Sequence, residues 1–198
     1  MTQVIETFPD SHHDHYSLVT FGFWLYLLTD FIFVATIFAS YIVLSNNTFG
    51  GLTPKDIISL KSATLQTFVL LIASCTSGIA GAYLHRRRRV ATIVFFLLTF
   101  LIGIAFLALS FHDFAKVLST GYTWKSSAFL SMFFSLIGTI DLHVIFALIF
   151  SIVLLVPLFV HQIDSVNIRR LTCLRMFWQF IGVLWSLIYT FVYALGVI

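Results

Sequence analysis

Five long apolar runs, separated by short polar breaks, leave this 198-residue chain few ways to fold. They cover residues 18–44, 63–84, 90–111, 128–160 and 172–198, and each reaches or exceeds the about 20 residues that a helix needs to cross a bilayer core. The breaks are "SNNTFGGLTPKD", "HRRRR", "HDFAKVLSTGYTWKSS" and "HQIDSVNIRR". The fourth run spans about 50 Å as a helix. That is too long for one upright crossing and too short for two crossings with a turn, so one tilted helix projecting past the membrane is expected. Only 10% of the chain is charged, against about 25% for a soluble domain, and 60% is hydrophobic with 23 Phe. The class is all-α integral membrane. Its +3 charge therefore reads as topology rather than nucleic-acid binding.

Orientation follows from loop charge. Arg86, Arg87, Arg88, Arg89, Arg169 and Arg170 share one side with the N-terminus; Lys55, Lys61, Lys116 and Lys125 share the other. The positive-inside rule puts the N-terminus in the cytoplasm and the C-terminus outside. Residues 1–17 read as a cytoplasmic tail and 18–198 as one five-helix domain. The tail "MTQVIETFPDSHHDHYS" has no Lys or Arg and no apolar core, so no cleavable signal peptide is expected. The dense Arg86–Arg89 block anchors topology and can also attract anionic lipid headgroups. No internal repeat divides the chain, which speaks against an inverted-repeat transporter.

A few polar residues stand out inside the apolar runs. Asp30 lies about 18 Å into the first helix, where a carboxylate costs about 2.5–3.5 kcal/mol to insert. It must face protein, water or a proton partner. Tyr26, one turn earlier, is a candidate hydrogen-bond donor to it. Both a neutral carboxyl sealing a helix contact and a proton-handling or lipid-pocket role fit Asp30. In "LIGTIDLHVIF", Asp141 and His143 point about 200° apart on a helix, so each should meet a different neighbour. Trp178 and Trp185 share a helix face and read as packing. Cys75 and Cys173 read as buried packing residues. The tract "SHHDHY", with His12, His13 and His15, has a metal-binding composition but reads as a solvated tail. His85, His112, His143 and His161 show no ligand spacing, so the chain is expected to hold no redox centre.

The segments "FGFWLYLLTDFIFVATIFASY", "SSAFLSMFFSLIGTIDLHV" and "MFWQFIGVLWSLIYTFVYALG" together resemble subunit III of haem–copper respiratory oxidases, most nearly the five-helix form of bacterial cytochrome bo-type ubiquinol oxidases. The resemblance runs from Phe21 to the C-terminus. It implies a V-shaped helix bundle in the bacterial inner membrane with phospholipid in its cleft. Haem and copper would sit in partner subunit I, the main contact, beside subunits II and IV. It implies a non-catalytic role in assembly, stability and proton uptake, with Asp30 at the family's intramembrane carboxylate. The chain departs from the family at Ile140 and Asp141, where His-Gly is usual, at Gln179 and Gly182, where His and Asp are common, and at Gln66 and Ser110, where Glu is common. An exchange of the carboxylate between Gly182 and Asp141 would need one depth for both. Counted from their helix ends they are offset by about 13 Å unless the fourth helix projects. Cytochrome c oxidase subunit III is the near alternative. A proton or solute carrier built on Asp30 and Asp141, and a metalloenzyme using the N-terminal histidines, are the readings from other classes.

Overall fold

The computed structural model describes residues 11–45, 47–48, 50, 60–160 and 164–194, with the side chains of 11–16, 160 and 194 outside the description. Among the described residues there are five long helices: α1 (Ser11–Leu44), α2 (Leu60–His85), α3 (Arg89–Ser119), α4 (Ala128–Val160) and α5 (Ser165–Ile188), the last extended by a π-helical turn, Tyr189–Ala194. Each contains a stretch long and apolar enough to cross a membrane, in α1 from Ser17 onward. Among the described residues the regular structure is all helical.

Helix α4 has the expected bounds. The other four extend past the bounds that hydropathy alone suggests. Helix α3 continues through "HDFAKVLS" and α5 begins before Arg169 and Arg170. Both extensions are amphipathic turns that sit outside the apolar runs yet keep the backbone hydrogen-bonded. The backbone of "SHHDHY" is helical as well, contrary to a free tail, while its side chains fall outside the described residues. Residues 195–198 of the fifth run also fall outside.

Buried positions reveal how the helices meet. Along α1 they recur every seventh residue, at Leu27, Val34 and Tyr41, a narrow seam on an otherwise exposed helix. This seam lies against α4 and α5. Along α3 the repeat is Thr92, Phe96, Thr99, Gly103, Phe106 and Ser110, again at steps of three and four. Helix α5 is the most enclosed, touching α1, α2 and α4. Between membrane helices, association rests on close van der Waals fit rather than on water exclusion, so small residues decide where helices can approach. A Cβ on Gly103 would fall 2.5 Å from Cη2 of Trp178, and one on Gly81 2.4 Å from Cδ of Arg175. Trp178 and Trp185 are both buried; their indole N–H groups donate to Ser151 Oγ (3.4 Å) and Thr67 Oγ1 (3.0 Å). They are packing residues, as their shared face implies. Cys173 is buried too, but Cys75 is exposed, a correction. It lies on the α2 face opposite the Ala73–Thr76–Ala80 stripe, where an apolar thiol suits lipid.

The arginine block forms the α2–α3 turn. Arg88 N–H donates to Tyr83 O (3.1 Å) and Arg87 N–H to Leu84 O (3.0 Å), a Schellman closure with Arg87 in the left-handed position at φ 53°. Arg89 reaches across to α4. Its Nε and Nη2 donate to the carbonyls of Leu158 (2.7 Å) and Phe159 (2.6 Å), which end that helix and lack intrahelical donors. The block thus contributes a helix cap as well as charge.

Candidate functional site

Asp30 and His143 meet at the α1–α4 contact. Asp30 lies fourteen residues before the end of α1, His143 fifteen after the start of α4. At 1.5 Å per residue these depths are about 21 and 22 Å. The two ends are tied where Phe129 N–H donates to Asn47 O (3.3 Å), so equal counts bring the side chains level. His143 Nε2 lies 2.8 Å from Asp30 Oδ2 and 3.0 Å from Oδ1, and the two side chains are only 9% and 12% exposed.

The imidazole's other nitrogen fixes the chemistry. Nδ1 is 2.6 Å from Thr139 O, and a carbonyl only accepts, so Nδ1 carries a proton. A single proton is then shared between Nε2 and the carboxyl group. Either an imidazolium faces a carboxylate or an imidazole accepts from a carboxylic acid. Both arrangements are neutral overall. This pairing explains why an acid is tolerated in the middle of the first helix.

Tyr26 is not that partner. Both oxygens of Asp30 face His143, and Tyr26 makes no hydrogen bond to them. Its ring instead packs on Phe23 (centroids 5.7 Å apart) and remains half exposed. Tyr26 and Phe23 line a groove of about 450 Å³ with Phe146, Phe150 and Phe177, between α1 and its neighbours. On the other flank of α1, Trp24, Leu28, Phe31, Met176 and Gln179 border one of about 350 Å³. Both are apolar save for a phenol and an amide.

Asp141 points to the other side of α4 and accepts from Ser110 Oγ on α3 (2.7 Å). The expectation of different neighbours for Asp141 and His143 therefore holds. Gln66 and Ser62 donate to Asp113 Oδ2 at 2.8 and 2.5 Å. Asp113 went unnoticed because the sequence places it in a polar break; its spacing of three from Ser110 was the available signal. Gln66 and Ser110 are thus each a hydrogen-bond donor to an aspartate, at 113 and 141 respectively. An added Cβ at Gly182 would instead meet Ser74 of α2 at 3.2 Å from its Oγ, so Gly182 and Asp141 belong to different contacts. Among the described residues no group of three His, Cys, Asp or Glu could hold a metal ion.

No protein-family model matches the chain. Curated relatives do. It is 37% identical over 187 residues to cytochrome bo(3) ubiquinol oxidase subunit 3 of Pseudomonas aeruginosa, covering 94% of this chain and 90% of the relative. The corresponding subunit of Buchnera aphidicola from Schizaphis graminum is 34% identical over 90% of this chain and 94% of its own length. Quinol oxidase subunit 3 of Bacillus spizizenii is 31% identical, with 88% and 86% covered.

Proposed function

The chain belongs to the quinol oxidase subunit 3 family, and from that premise we propose that it supports an oxidase complex through its buried Asp30–His143 pair. It is the non-catalytic subunit III of a quinol oxidase and a multi-pass membrane protein. In our reading, quinol oxidation and oxygen reduction belong to partner subunits, with haem and copper in subunit I. The N-terminus is cytoplasmic, an orientation supported by the six arginines against four lysines. Subunit I is the main contact, subunits II and IV complete the assembly, and the complex resides in the bacterial inner membrane.

The observation that carries the site assignment is the short contact between a carboxyl and an imidazole at mid-depth. It ties the sparsely buried α1 to the bundle and supports proton uptake by holding one exchangeable proton. The two grooves beside α1 form the opening of a V and accept phospholipid acyl chains; their aromatic and aliphatic walls favour this. Arg86, Arg87 and Arg88 stand at the cytoplasmic end to meet anionic headgroups.

A tagged pull-down in mild detergent tests the whole reading. A large co-eluting partner with haem absorbance and quinol-driven oxygen uptake is expected; cytochrome c oxidation instead, or a colourless chain eluting alone, would overturn it. In the same complex, Asp30→Ala is expected to reduce subunit retention or the endurance of turnover and to leave the haem spectrum unchanged. Full retention and undiminished endurance would remove Asp30 from the site.

A further inference from the structure

Asp141 is a buried acid with one oxygen left unpartnered. It is 3% exposed, its Oδ2 accepts from Ser110, and its Oδ1 is buried with no partner. The ion pairs of the described residues join His143 to Asp30 and His112 to Asp113, so no cation stands opposite Asp141. Such a carboxyl group in a bilayer needs another donor or acceptor, and a water molecule is the smallest one that supplies it.

The surroundings show where water would come from. Ser110 and Asp113 lie three residues apart on one face of α3. Asp113 is 35% exposed, holds Ser62 and Gln66 of α2 on one oxygen, and has the 76% exposed His112 3.6 Å from the other. Tyr193, buried on the turn after α5, lies within electrostatic reach of both Asp113 and Asp141, with Tyr41 of α1 and the stacked Tyr189 ring also beside it. Two hydrogen-bonded polar sets, one at Asp113 and one at Asp141, thus follow one another from the exposed end of α3 inward, with Tyr193 near both. They stop there. One turn further along the same α3 face, Phe106 is fully buried and meets Trp185 edge-on, with centroids 5.1 Å apart. Beyond it, the Trp178 ring covers Gly103.

We propose that water enters the bundle at His112 and Asp113 and reaches Asp141, making Asp141 a second proton-exchanging carboxyl in a one-ended inlet floored by Phe106 and Trp185. The inlet lies on the side of α4 away from Asp30 and His143. It stands on contacts within the helix bundle and does not depend on the oxidase assignment.

Cysteine accessibility tests this in membrane vesicles containing the assembled complex. In a Cys75→Ala/Cys173→Ala background, Ser110→Cys and Thr99→Cys are each treated with a small aminoethyl methanethiosulfonate, and labelling is followed by mass. Thr99 occupies the same buried face of α3 beyond the floor. Modification of Ser110→Cys at least about tenfold faster than that of Thr99→Cys is expected, the rate ratio of about 1.4 kcal/mol in access. Equal rates, slow or fast, would overturn the proposal. Should Ser110→Cys fail to assemble, X-ray hydroxyl-radical footprinting of the unsubstituted complex in ¹⁸O-water decides the matter. Oxygen incorporation at Tyr193 but not at Trp178 is expected, and its absence from Tyr193 would overturn the inlet.

Discussion

Asp30 illustrates how much one side chain's meaning depends on a residue more than a hundred positions away. From sequence, its depth and its insertion cost are legible, because both follow from counting along an apolar run. Its partner was missed, although the same counting taken from the joined ends of α1 and α4 would have matched it to His143. Tyr26 shares a helix face with Asp30, yet the Asp30 oxygens are turned to His143 across the α1–α4 contact. The pairing has an energetic signature. Asp30→Leu leaves Nε2 of His143 buried without a partner and is expected to destabilise the subunit by about 1–3 kcal/mol. The double variant Asp30→Leu/His143→Leu is expected to recover part of that loss, because polar pairs between membrane helices contribute only about 0.6 kcal/mol on average. Detergent unfolding of the four members of this cycle measures the coupling. Additive losses would show that the two side chains do not act together.

At the scale of elements, the existence of the five helices was plain and their ends were not. Hydropathy registers what lipid surrounds, and it is blind to polar turns that continue a helix past the bilayer, as in α3 and α5. Helix α4 was bounded correctly because its apolar run and its hydrogen-bonded run coincide. That helix ends with Pro157 in its last turn, which donates no N–H, and Arg89 supplies donors to the final carbonyls. Arg89→Ala is expected to speed hydrogen exchange in the last turn of α4 and to cost about 1–2 kcal/mol. Arg88→Ala, a change at a neighbouring arginine, is expected to leave that turn protected. Equal effects of the two would reduce Arg89 to a topology charge.

For the molecule as a whole, composition and loop charge were sufficient for class and span number, since the bilayer admits few alternatives. The arrangement of the helices was not legible, because apolar residues face lipid and protein alike and periodicity cannot separate them. Burial separates them in the structure: α1 is the least enclosed span and α5 the most. Native-state hydrogen exchange in lipid nanodiscs is therefore expected to release α1 before α2 and α3, with α5 last. Asp30→Ala should accelerate only the first step. Simultaneous release of all five helices would mean that α1 belongs to the same cooperative unit as the rest.

Asp141 and His143 are only two residues apart, yet they hold α4 from opposite sides, one to α3 and the other to α1. Rolling the helix about its long axis in either sense would draw both side chains off their partners together. The two contacts act as a key in a shaft. They fix the rotational register of helix α4 in a way that smooth apolar packing could not enforce.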